Sequence, residues 1–120
     1  MAVEVIYTDE FAAWYEGLSE TEQDRVYRSI GLLEERGVTL PFPHSSAIKG
    51  ASFALRELRT QAEGDPLRTL YAFDPARQAV LLVGGDKTGD DRFYERMIPV
   101  AEKVWDDYLV ETGQKKATKR

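Results

Sequence analysis

Residues 53–84 read FALRELRT at 53–60, QAEGDP at 61–66, LRTLYAFD at 67–74, PARQ at 75–78 and AVLLVG at 79–84. Three strand-like runs are separated by connectors carrying Gly64, Pro66 and Pro75, each short enough for an antiparallel hairpin. Alternation along the first run puts Leu55, Glu57 and Arg59 on one face and Arg56 and Leu58 on the other. In the third run Leu81, Leu82 and Val83 follow one another without a polar break, the pattern of a strand covered on both faces.

Upstream of these runs, residues 3–7 predict a short strand. Thr8 and Asp9 are good helix starters, and Phe11, Trp14, Tyr15 and Leu18 recur at i, i+3, i+4 and i+7, with Gly17 ending the helix. Ser19 and Glu22 fit a capping box, in which a hydroxyl and a carboxylate three residues on satisfy each other's backbone N–H. The second helix carries Val26, Ile30 and Leu33 on one face and stops at Gly37. Two amphipathic helices joined this tightly form an αα-hairpin.

Residues 38–50, with Pro41, Pro43 and Gly50, predict a loop. From about Asp91 the spacing of Met97, Val100, Ala101, Val104, Trp105 and Tyr108 is helical, and Pro99 must kink that helix or mark a restart near Ile98. The order β-α-α-β-β-β-α predicts one α+β domain over residues 1–113. Its expected form is a four-stranded, mainly antiparallel sheet, with the helical hairpin and the C-terminal helix packed on one side. Residues 114–120 predict a basic flexible tail.

Composition narrows the chemistry. A chain of 120 residues with 42% apolar and 31% charged side chains is that of a single ordinary globular domain. Without cysteine there is no disulfide, thiolate metal site or thiol nucleophile, and His44 alone builds neither a histidine metal cluster nor a histidine triad. No apolar run approaches the ~20 residues of a membrane span, and the N-terminus lacks the basic flank and apolar stretch of a secretory signal. These features lead us to expect a cytoplasmic protein with no membrane association, metal or cofactor.

The net charge of −5 is unevenly spread. Residues 1–37 hold nine acids and three bases, residues 38–90 six of each, and residues 91–114 six acids and three bases. Any positive face that binds a polyanion is therefore expected in the middle third.

The element order, together with Glu57-Leu58-Arg59, Arg68-Thr69-Leu70-Tyr71 and the Leu81-Leu82-Val83 run before a Gly84-to-Lys87 turn, resembles the RelE/ParE–HigB toxins. The likeness is strongest to their phage-derived Gp49-like branch and spans roughly residues 3–110. It implies a type II toxin restrained by a cognate antitoxin, a helix-turn-helix protein. It further implies a sheet with one face on the helices and the other forming a concave cleft for messenger RNA, in some members only on the ribosome. The activity implied is metal-independent RNA cleavage by attack of a ribose 2′-hydroxyl on the neighbouring phosphate. Two other readings stay open: a ParE-like toxin that inhibits DNA gyrase without catalysis, and a degenerate toxin that only binds an antitoxin.

The cleavage chemistry needs proton transfer at the 2′-oxygen, charge stabilisation on phosphate and help for the departing 5′-oxygen. By resemblance, Arg59, Arg68 and Lys87 are the expected phosphate contacts, with Tyr94 or Glu57 assisting proton movement. Lys49, Arg56 and Arg92 are secondary RNA-contact candidates. Each has a purely structural alternative: Glu57 pairing with Arg59 or Arg68, Tyr94 packing beside Phe93, and the others solvated surface charges. Opposed across two strands, Arg59 and Arg68 need a carboxylate or a bound anion between them. The string Asp86-Lys87-Thr88 departs from the aromatic-Lys-Lys usual in Gp49-like members.

Overall fold

The computed structural model describes residues 2–116. Its elements are β1 (Val5–Tyr7), α1 (Asp9–Glu16), α2 (Glu20–Arg36), a 3-10 turn (Gly37–Thr39), β2 (Ser45–Ala47), β3 (Arg56–Ala62), β4 (Asp65–Phe73), β5 (Ala79–Asp86) and α3 (Phe93–Glu111). Both early helices start as their sequence dictates. The Thr8 hydroxyl caps α1 by accepting from the Phe11 N–H at 3.1 Å, and donates to the Leu82 carbonyl at 2.8 Å, tying the helix start to β5. Ser19 and Glu22 close the capping box of α2 in both directions.

The sheet has five strands, not four, in the order β1-β5-β4-β3-β2. The β3–β4 and β4–β5 pairs are antiparallel, whereas β1 lies parallel to β5, with Val5 opposite Ala79. The additional strand is β2, which falls inside the segment expected to be a loop. Only three residues long and preceded by Pro41 and Pro43, it leaves no periodic trace in the sequence.

The placement of α3 also departs from expectation. Leu58, Ala62, Leu67, Tyr71, Ala79 and Leu81 pack with Phe11, Val26, Ile30 and Leu33 of the helical hairpin. The alternate residues Leu55, Leu70, Val80 and Leu82 pack with Phe93, Met97, Ala101 and Val104 of α3. Successive side chains of a strand point to opposite faces, so α3 covers the face opposite the hairpin. The unbroken apolar run in β5 follows from this, because both of its faces are buried. Helix α3 passes through Pro99 without a restart, its buried stripe on both sides of the proline outweighing one lost hydrogen bond.

Gly85, expected in a turn, lies within β5 together with Gly84, the last residue of the third strand-like run. They clear space on the two faces instead of bending the chain. A β-carbon on Gly84 would stand 2.1 Å from Trp14 Cε3, and one on Gly85 would stand 2.8 Å from Phe93 Cε1. We expect Gly84→Ala to lower the unfolding free energy by about 2–3 kcal/mol, the scale of overpacking a close contact. Urea denaturation measures this, and a loss below ~0.5 kcal/mol, the range of neutral surface changes, would disprove the close approach.

Beyond α3, the Gln114 N–H donates to the Leu109 carbonyl at 2.8 Å, and Lys115 pairs with Asp106. The remainder of the expected tail, residues 117–120, lies outside the described residues. Among the described residues no helix is long and apolar enough to cross a membrane.

Candidate active site

Strand β3 runs beside β4 on the α3 face and presents Glu57 and Arg59 there, as the alternation requires. Arg68 of β4 stands directly across from Arg59, and Ser46 of β2 directly across from Glu57. Tyr94 arrives from the first turn of α3 and Lys87 from the residue after β5. Strands β3 and β4 and the start of α3 therefore bring Glu57, Arg59, Arg68 and Tyr94 together, and the end of β5 sets Lys87 against Tyr94.

Glu57 is the hub, and it is only 4% exposed. Its Oε2 accepts from Ser46 Oγ at 2.7 Å and from Arg59 Nη1 at 3.2 Å. Its Oε1 accepts from the Tyr94 hydroxyl at 2.5 Å and lies 3.5 Å from Arg68 Nε. The costly Arg59–Arg68 opposition is thus relieved by a carboxylate placed between the two guanidiniums. Lys87 Nζ stands 5.6 Å from the centroid of the Tyr94 ring, and the Arg59 guanidinium 5.1 Å from that of Phe42.

Burial pushes the Tyr94 phenol above its ordinary range, and its hydrogen bond to Glu57 and that carboxylate's charge push it further, against a smaller lowering by Arg68. Tyr94 is consequently a protonated donor at neutral pH. Arg68 is 6% exposed; its Nη1 donates to the Leu67 carbonyl at 3.0 Å, whereas its buried Nε has no hydrogen-bond partner. At 3.5 Å the Glu57 carboxylate compensates the charge of that group without satisfying its N–H. An unsatisfied buried donor beside a carboxylate and a phenol is a group ready for a further acceptor.

The secondary candidates separate. Lys49 is exposed and lines a shallow cavity of about 290 Å³ together with Glu57 and Tyr94. Arg56 points to the opposite face of the sheet, where its Nε donates to Ser45 Oγ at 3.2 Å. Arg92 lies in solvent 3.8 Å from Glu95, outside the cluster. Ser46 and Phe42, which hold Glu57 and Arg59, carry no signal in the sequence, because both lie in a stretch that has the look of a plain loop. Among the described residues no group of three His, Cys, Asp or Glu side chains could hold a metal ion.

Residues 13–106 match the family described as phage-derived protein Gp49-like. The chain belongs to that family. Two proteins of Mycobacterium tuberculosis (strain ATCC 25618 / H37Rv) are similar to this Gp49-like chain. It is 38% identical to "Putative toxin HigB3" over 107 residues, covering 88% of itself and 92% of that protein. It is 32% identical to "Putative toxin HigB2" over 115 residues, covering 93% of itself but 57% of that longer protein. Among solved structures, an E. coli RelE toxin mutant in the free state superimposes with a TM-score of 0.57 at 10% identity, over 81% of the Gp49-like chain and 96% of RelE. An archaeal RelE from a RelE–RelB complex of Pyrococcus horikoshii OT3 gives 0.54 at 17% identity, over 74% and 99% of the two chains. The fold of this Gp49-like protein is accordingly the RelE fold.

Proposed function

We propose that this protein is the toxin of a toxin–antitoxin pair and that the Glu57 cluster cleaves messenger RNA. The observation that carries the reading is the bond from Tyr94 to a buried Glu57 flanked by Arg59 and Arg68, with Lys87 over the Tyr94 ring. A carboxylate, a protonated phenol and three cations are a sufficient set for phosphodiester transesterification without a metal.

In this mechanism Glu57 exchanges its Tyr94 bond for the ribose 2′-hydroxyl and takes its proton as the 2′-oxygen attacks phosphorus. The bond from phosphorus to the 5′-oxygen breaks, and that oxygen receives a proton from Tyr94 or the Lys87 ammonium. Arg68 and Arg59 stabilise the charge gathering on the phosphate oxygens. The products are a 2′,3′-cyclic phosphate and a 5′-hydroxyl. The toxin names of the Mycobacterium relatives and the fold shared with RelE support this reading. The RelE–RelB neighbour supports a cognate antitoxin as partner, for which a helix-turn-helix protein is our expectation.

With a net charge of −5, the protein attracts free RNA poorly at long range. Cleavage is therefore expected to be weak on free RNA and strong on a message held by the ribosome. The test is a cleavage assay on both substrates, with end-group analysis of the products, beside growth assays with and without the antitoxin. Growth arrest relieved by the antitoxin, with ribosome-stimulated cleavage leaving cyclic phosphate ends, is the expected result. Harmless overexpression with no RNA cut in either setting would overturn the reading.

A further inference from the structure

The first 37 residues contain only three bases, Arg25, Arg28 and Arg36, among nine acids. Two of these, Arg25 and Arg28, line a cavity of about 420 Å³. The same cavity is lined by His44, by Arg59 and Thr60 of β3, and by Arg68 of β4. Four guanidiniums thus border one space, and no carboxylate lines it.

The two pairs of arginines differ in their partners. Arg59 and Arg68 share Glu57. Arg25 and Arg28 are exposed and take part in none of the ion pairs among the described residues, although acids surround them in sequence. Three residues apart on α2, they share one side of the helix. That side is held against the sheet where the Thr60 hydroxyl donates to Ser29 Oγ at 2.7 Å. The cavity wall is therefore pinned to β3, with positive charge left uncompensated.

Like charges gathered around one cavity repel, and an anion filling the space reverses the sign of that energy. We propose that this cavity is a second phosphate site, in which Arg25 and Arg28 hold the backbone phosphate next to the one reacting at Arg59 and Arg68. This inference rests on the RNA reading above, and the ligand is a single-stranded RNA backbone. Because both arginine pairs line the same space, a strand with one phosphate at Arg68 continues directly onto α2. Backbone contacts of this kind position a strand without reading its sequence. Arg25 and Arg28 are accordingly binding residues, not catalytic ones.

The test uses the full-length protein and a fluorescent 2′-O-methyl RNA hexanucleotide, which lacks the attacking hydroxyl. Combining Arg25→Gln with Arg28→Gln should weaken binding at least ~10-fold and flatten the slope of log K against log salt by about 0.7, the value for one phosphate of a single strand that is no longer neutralised. With cleavable RNA the pair should raise KM by a similar factor and leave kcat within about 2-fold, the signature of uniform binding. Arg36→Gln, on the same helix but outside the cavity, should change neither. Unchanged affinity and slope in the double variant, while Arg68 still governs cleavage, overturns this site and leaves the nuclease reading standing. Binding that depends on Arg25 and Arg28 in a protein that cuts no RNA does the reverse. Wild-type protein that does not bind the hexanucleotide, or a double variant that binds it normally but loses the antitoxin complex, overturns the inference.

Discussion

Arg68→Ala is expected to slow RNA cleavage by about 10²-fold or more, the loss typical when one fixed donor to a developing oxyanion is removed. The size of the effect follows from how Arg68 is held. Its Nη1 is anchored on the Leu67 carbonyl, the side chain is enclosed by the sheet, and Nε carries an N–H without an acceptor. A phosphate oxygen entering beside Glu57 would meet a donor that needs little reorganisation. Arg68→Lys keeps the charge but loses the planar fork, so it should recover only a small part of the rate. Arg59, at 31% side-chain exposure, should give a similar or milder loss on replacement by alanine. Single-turnover cleavage on programmed ribosomes is the measurement, with circular dichroism to verify folding. Full toxicity of both Arg68→Ala and Lys87→Ala at equal expression would mean that the chemistry lies elsewhere or is absent.

Glu57→Ala is expected to cost about 3–5 kcal/mol of folding stability, because it leaves a buried guanidinium without its carboxylate. Arg68 is only 6% exposed, and Arg59 on the neighbouring strand would repel it. Tyr94 and Ser46 would lose their acceptor as well. Glu57→Gln preserves an acceptor for both and should lose less. Replacing Glu57 and Arg68 together by leucine removes both charges and should restore most of the stability, so the two changes should be strongly non-additive. Guanidinium denaturation of the wild type, Glu57→Ala, Glu57→Gln, Glu57→Leu, Arg68→Leu and the double leucine variant decides it. A Glu57→Ala loss below ~1 kcal/mol would mean that the pair is hydrated in solution.

Much of this arrangement could be read from the chain because it rests on local rules. The helix starts at Thr8 and Ser19 depend on side chains bonding within their own turn, and the shared face of Glu57 and Arg59 depends only on alternation along β3. What escaped depends on tertiary placement. The apolar run 81–83 shows that both faces of β5 are covered, but no periodicity states which helix covers which face. Gly84 and Gly85 match turn residues equally well; only the rings of Trp14 and Phe93 reveal their role as clearance. Arg25 and Arg28 look like an ordinary solvated stripe on an acidic helix until α2 is set against the edge of β3. Lys87 and Tyr94 stand out in the sequence only through the resemblance; in the fold Tyr94 bonds Glu57 and Lys87 lies over the Tyr94 ring.

The sheet order has a consequence for how the protein is made. Strand β5 is inserted between β1 and β4, so residues 5–7 wait for residues 79–81 before the sheet can close. Domains emerge from the ribosome N-terminus first, at roughly 5–20 residues per second. The two arginines of the cluster are synthesised well before Lys87 and Tyr94, and a nascent chain halted before β5 has neither a closed sheet nor a finished site. On the proposed nuclease reading, activity therefore appears only after residues 79–94 have been synthesised and have joined the sheet.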